Sequence, residues 1–172
     1  MFVVTMVATL FLFAGCSGGS SGGSTTNSIK GEDGKIEMSA KVDKTKVDVT
    51  VRLKENCGIN AMDLVLDYDT KVLTLTGVDE GTALKSLDLI TTNTNTEKGY
   101  SITPFKFSYL NANKNDTSTG TMFTLHFSVK KNADVKKTTV GLKYTKGDIT
   151  SLTDKGVVSR SFAVIPASVA LA

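Results

Sequence analysis

The chain predicts an all-β fold: a two-sheet sandwich of about nine short strands with jelly-roll topology. Three observations lead there. Apolar residues recur at every second position in one short segment after another. Turn-forming residues separate those segments at regular spacing. No stretch beyond the first 16 residues shows a helical period. Two such sheets pack about 10 Å apart, with their inward side chains interdigitating.

Taken in order, residues 35–42 turn Ile36, Met38, Ala40 and Val42 inward, and 47–53 do the same with Val47, Val49, Val51 and Leu53. In 60–68, Met62, Leu64, Leu66 and Tyr68 alternate with Asp63, Val65 and Asp67, so the first set faces the core. Residues 68–71 turn the chain, and a strand over 71–78 begins at once with Val72, Leu73 and Leu75. Residues 79–98 lack a period; Leu84, Leu87, Leu89 and Ile90 are suited to closing one end of the core, and 91–96 is polar and turn-prone. Ile102, Phe105, Phe107 and Tyr109 mark a strand over 100–109. Pro104 cannot donate to a ladder, so an edge or a bulge is expected there. Residues 111–120 read as a hairpin-like loop. The strand over 121–129 places Phe123, Leu125, Phe127 and Val129 inward, and Met122, Thr124 and His126 outward. Val140, Leu142 and Tyr144 define 138–144, a short strand spans 147–152, and Val158, Phe162 and Val164 belong to a last strand over 156–165.

A length of 172 residues suits one domain with appendages. The net charge is only +3 and the lysines are scattered among acids, which argues against a nucleic-acid partner. Residues 1–16 form an apolar run closing on Phe13-Ala14-Gly15-Cys16. The run is too short to span a bilayer comfortably and has the length of an export signal. Small residues before a cysteine resemble a bacterial lipoprotein signal, so Cys16 is the expected lipidation site. Residues 17–33 are rich in Gly and Ser and read as a flexible linker, leaving 34–172 as the folded domain. The expected location is extracellular, on a membrane anchor.

Catalytic constellations are missing. The sole histidine, His126, lies mid-strand, and no Gly-x-Ser-x-Gly elbow occurs. Asp63, Asp67 and Asp69 are close in sequence, but two lie on an outer strand face and one in a turn, unlike a cleft with paired carboxylates. No enzymatic activity and no cofactor are expected. One His and one Cys beyond the signal are too few for a zinc site. Asn111, Asn113, Asn115 and Asp116 offer oxygens at alternate positions, yet the Gly and the Glu of a calcium loop are missing. An Asn-rich turn held by side-chain to backbone bonds is expected instead.

The strand ending in Tyr68-Asp69, the turn after it and Leu73-Thr-Leu75-Thr-Gly77-Val78 resemble the cohesin domain, the receptor module of cellulosomes, related in fold to several carbohydrate-binding modules. The Gly-led strand from Gly120 to Val129 resembles a late cohesin strand, and the likeness runs over about residues 35–165. The resemblance implies a non-catalytic module whose flat sheet face grips a dockerin, a small calcium-binding helical module on secreted polysaccharide-degrading enzymes. Asp63 matches a cohesin contact acid, and Ala61 stands where many cohesins carry a contact Asn. Thr124 and His126 are expected on the same face, with Lys106 and Ser108 as further contacts. Two other readings follow from the fold: a carbohydrate-binding module, and a structural or adhesion domain. A sugar platform needs exposed aromatics. Trp is absent, so Tyr100 and Tyr109 are the only candidates.

Overall fold

The computed structural model describes residues 33–84, 104–133 and 135–171. Those residues form eleven strands and no helix: β1 (Gly34–Asp43), β2 (Lys46–Asn56), β3 (Ala61–Tyr68), β4 (Leu73–Glu80), β5 (Lys106–Leu110), β6 (Gly120–Val129), β7 (Lys137–Lys143), β8 (Ile149–Thr153), β9 (Gly156–Ser159), β10 (Phe162–Ile165) and β11 (Ala167–Ala170). One sheet runs β10-β1-β2-β6-β4. The other runs β11-β7-β3-β8-β9, with β5 on the opposite flank of β3. The β1–β10 pair is parallel and the rest are antiparallel. The result is the predicted jelly-roll sandwich.

The alternating strands bury the residues that their period selects. Ile36, Val47, Val49, Val51, Leu64, Leu66, Phe123, Leu125, Phe127 and Val140 all lie in one core between the sheets. Aromatic rings tie the layers together. Phe107 of β5 stacks on Phe123 of β6 at 4.1 Å, and Tyr68 of β3 meets Phe127 of β6 edge-on at 5.1 Å. Such pairs add to plain area burial because ring edges and faces carry opposite partial charge.

Four expectations are corrected. Met122 was assigned outward but is buried, because it is the extra residue of a β-bulge: Val51 pairs with Phe123 and Arg52 with Thr121. The loop over 111–119 is a crossover between sheets, not a hairpin, since β5 and β6 belong to different layers. The last strand breaks in two at Arg160-Ser161: β9 pairs with β8, whereas β10 crosses to β1. Asp33 holds that break, its carboxylate accepting from Ser161 N at 2.8 Å and pairing with Arg160 Nη1 at 3.3 Å. Strand β11, on the far side of Pro166, was not anticipated; four residues, Ala-Ser-Val-Ala, are too few to display a period.

Leu84 is buried, as expected of a residue closing the core. Leu87, Leu89, Ile90, the 91–96 run, Tyr100 and Ile102 lie outside the described residues, as do residues 1–32, on which the expected export signal and linker fall.

Candidate functional site: the outer face of the six-stranded sheet

Strand β3 is central in its sheet, with β5 along one flank and β8 followed by β7 along the other. Its outward residues are therefore surrounded by outward residues of neighbouring strands. Antiparallel partners point to the same face. Leu110, Ala61, Thr150 and Ser159 thus make one row across four strands, Ser108 and Asp63 a second, and Lys106, Val65 and Lys143 a third.

Asp63 is exposed in the middle of this face. Its backbone N–H donates to the carbonyl of Asp148 at 2.8 Å, which keeps the strand in register while the side chain projects outward. No ion pair or hydrogen bond engages its carboxylate among the described residues. Asp67, one pleat further along, is different: its carboxylate pairs with Lys143 Nζ at 2.8 Å. The face therefore presents one acid poised to accept hydrogen bonds and one already neutralised.

Two aliphatic side chains stand out on the same face. Leu110 and Val157 are each 62 % exposed; the only other exposed large hydrophobic among the described residues, Val135, lies outside the strands. Val157 pairs with Leu152, which is half-buried on the same side as Thr150. The sequence reading missed these residues. A signal existed for Leu110, which falls in the outward register with Lys106 and Ser108 where the strand is otherwise polar.

The loop under this end is rigidly bonded. Asn115 copies a strand partner: its Nδ2 donates to the carbonyl of Leu152 at 2.9 Å, and its Oδ1 accepts from Leu152 N at 2.7 Å. Asn111 Oδ1 accepts from Asn113 N at 3.1 Å, and Asp116 Oδ1 from Ser118 N at 2.6 Å. The Asn111 and Asp116 oxygens serve the local backbone, as anticipated of an Asn-rich turn, whereas Asn115 ties the loop to β8. Asn56 adds bonds to the carbonyls of Asp116 and Ser118 at 2.9 and 3.0 Å. Beneath, buried Ser151 donates to the Gly58 carbonyl and accepts from Arg160 Nε at 2.9 Å.

The five residues expected on one face divide between two. Asp63, Lys106 and Ser108 are brought together, with Ser108 directly opposite Asp63. Thr124 and His126 belong to β6, in the other sheet, and face outward on the opposite side of the molecule. Strand parity establishes inward or outward, but sheet membership decides which exterior is meant. There His126 lies between two acids, Nδ1 at 2.7 Å from Asp48 Oδ1 and Nε2 at 3.0 Å from Asp79 Oδ2. These two hydrogen bonds, Asp48 first, push the imidazole pKa above its ordinary value.

Tyr109 is no sugar platform. It is 4 % exposed, and its hydroxyl has no hydrogen-bond partner among the described residues. Burial, with a smaller contribution from the Asp116 charge, pushes the phenol pKa well up. Tyr100 lies outside the described residues.

Comparison with known proteins places this geometry in a family. The chain is similar to the seventh type I cohesin of ScaB from Pseudobacteroides cellulosolvens, at 18 % identity and a TM-score of 0.58, over 80 % of this chain and 92 % of that one. It is similar to a non-cellulosomal cohesin from the archaeon Archaeoglobus fulgidus, at 16 % identity and a TM-score of 0.58, over 81 % and 91 %. It also resembles the sixth cohesin of scaffoldin B from Acetivibrio cellulolyticus, solved in complex with a mutant Cel5 dockerin, at 18 % identity and a TM-score of 0.54, over 81 % and 99 %. No curated protein sequence matches. The cohesin domain model matches residues 37–164, which take in ten of the eleven strands in whole or part, and the chain therefore belongs to the cohesin family.

Proposed function

We propose that this chain is a non-catalytic binding module that captures a dockerin-bearing protein, a polysaccharide-degrading enzyme, on the outer face of its six-stranded sheet. One observation carries the reading: the carboxylate of Asp63, which the resemblance matches to a cohesin contact acid, stands exposed and without an ionic or hydrogen-bond partner among the described residues, in the centre of a face edged by Leu110 and Val157. An uncompensated acceptor beside aliphatic anchors suits a helical partner that offers N–H or hydroxyl donors together with apolar side chains. Lys106 and Ser108 border the contact, whereas Thr124 and His126 lie on the far side and take no part in it. The Acetivibrio cohesin was solved with a dockerin, which supports the partner class. We also propose an export signal over residues 1–16, lipid on Cys16, and a Gly/Ser-rich spacer that carries the domain away from the membrane; the spacer expected over 17–33 ends at residue 32, because Asp33 is bonded into the domain.

The test is calorimetric titration against dockerins encoded in the same genome. Asp63→Ala should weaken binding by about 30-fold or more, the lower end of the cost of removing one member of a desolvated polar pair. Leu110→Asp should weaken it by about tenfold or more by placing a charge on an apolar contact. Neither should shift the thermal melt by more than about 0.5 kcal/mol of stability, because both positions are exposed. Equal affinity in wild type and both variants would show that the contact lies on another face. Failure of the wild type to bind any dockerin would remove the partner assignment altogether.

A further inference from the structure

The outer face of the five-stranded sheet carries an arrangement that partner binding on the other side does not use. His126 sits on β6, with β2 along one flank and the edge strand β4 along the other. Asp48 is its direct cross-strand partner on β2. Asp79 reaches it from β4 only because that strand is bulged. Leu73 and Leu75 point inward, so an unbroken period would turn residues 77 and 79 inward too. The register slips between Leu75 and Gly77, and Gly77 then pairs with His126 and Asp79 with Thr124, both facing out. The inserted Thr76 fixes the bulge by donating from Oγ1 to the His126 carbonyl at 3.0 Å. Gly77 leaves the surface above it open for the ring, since even a methyl group there would only just touch His126 Cδ2, at 3.4 Å.

Both ring nitrogens face carboxylate oxygens at hydrogen-bond distance. A neutral imidazole has one N–H and one lone pair, so it satisfies one carboxylate and sets its lone pair against the other. Only the doubly protonated ring donates to both. We propose that Asp48, His126 and Asp79 form a proton-operated latch that fastens edge strand β4 to the sheet when the imidazole carries two protons. Loss of one proton removes one hydrogen bond and leaves two carboxylates facing each other across a neutral ring. The neighbouring groups do not replace that proton. On β6 itself the outward neighbours are Thr124 and Ser128. Lys46 of β2 pairs with Ser128, Arg52 of β2 with Thr121, and Lys41 of β1 stands opposite Asp48; among the described residues none makes an ion pair with either acid. Glu80, next to Asp79 on β4, adds only negative charge.

The direction of the pH effect follows from the raised pKa of His126. A group that binds its proton more tightly in the folded state stabilises the fold below its unfolded pKa, about 6.5, and loses that contribution as the pH rises through the folded value. The latch is therefore closed below the unfolded pKa and opens as the pH rises through the higher folded value.

His126 is the sole histidine, so its ring gives a single imidazole signal in a proton NMR titration of the whole chain. The titration midpoint should lie above that of the same chain in denaturant. It should fall in Asp48→Asn, fall in Asp79→Asn, and fall furthest in the double variant. These substitutions keep side-chain shape, so they preserve packing while removing charge. Thermal melts supply the second readout. The advantage of wild type over His126→Gln should shrink by about 3 °C or more between pH 5.5 and pH 8.5. The amide protection factors of Val78 and Asp79, with the base-catalysed intrinsic rate divided out, should fall over the same interval in wild type and not in His126→Gln. A midpoint at or below the denatured value, midpoints unmoved by either Asp→Asn change, or equal pH dependence in wild type and His126→Gln would each overturn the latch.

Discussion

Asp63 and Asp67 share a strand, a face and a chemical type, and they differ only in what stands opposite. Lys143 lies across from Val65 and reaches Asp67, whereas Asp63 faces Ser108 and Asp148. Inside the sandwich the same reasoning applies to volume. Phe127 is 2 % exposed, packed by the Tyr68 ring from the opposite sheet and flanked by Val47 and Leu75 within its own. Phe127→Ala leaves a void that residues from two sheets cannot jointly close, so the fold should lose about 3–5 kcal/mol. Denaturant titration measures it. A loss below about 1 kcal/mol would contradict the packing described, since large costs arise from buried sites of this kind.

At the scale of elements, β4 shows how bulges and glycines aim a strand. Its end lies so close to β6 that Gly81, Thr82 and Ala83 donate to the carbonyls of Met122 and Thr121 at 2.8, 2.6 and 2.8 Å. A Cβ on Gly81 would lie 2.0 Å from the Thr121 oxygen, a backbone atom that cannot swing aside. Gly81→Ala should therefore destabilise by about 2 kcal/mol or more, as overpacking of a tight contact does. Gly77→Ala, four residues earlier and within β4, meets only the His126 side chain, from 3.4 Å, and should cost under about 1 kcal/mol. Paired thermal melts of the two variants decide the matter. Similar losses would mean that the close crossing at Gly81 is not what constrains β4.

At the scale of the whole molecule, the sandwich has two exteriors: the outer face of β5, β3, β8 and β9, proposed above for partner binding, and the outer face of β2, β6 and β4, which bears the Asp48, His126 and Asp79 cluster. The proposed amino-terminal signal bears on location. If Cys16 anchors the chain, Cys16→Ala should move the protein out of the detergent phase or leave it unprocessed. Unchanged partitioning and processing in that variant would rule out the lipid anchor while leaving the cohesin domain as it is. Tyr109 is buried and offers no ring to a sugar, so retention on insoluble polysaccharide is not expected from it; retention lost in Tyr100→Ala would favour the carbohydrate-binding reading.

The alternating strands and the parity of their unbulged stretches were legible from the residues alone, whereas β11 and the parity of Met122 were not. The spacing of Leu64, Leu66, Phe123, Leu125 and Phe127 separates inside from outside because the side-chain period of a strand is two, and that period survives any arrangement of strands. The Tyr68-Asp69 turn and the Leu73-to-Val78 pattern were enough to suggest the family, and Asp63 was legible as an exposed acid on β3. Three things awaited the tertiary structure. Only pairing between distant strands assigns β3 to one sheet and β6 to the other, which separates His126 from Asp63. Only cross-strand register reveals the bulges at Met122 and Thr76, which bury the first and bring Asp79 beside His126. Only the contacts of Asp33 with Arg160 and Ser161 break the last apolar segment into β9 and β10. In each case the deciding interactions join residues far apart in the chain, and a local period carries no information about them.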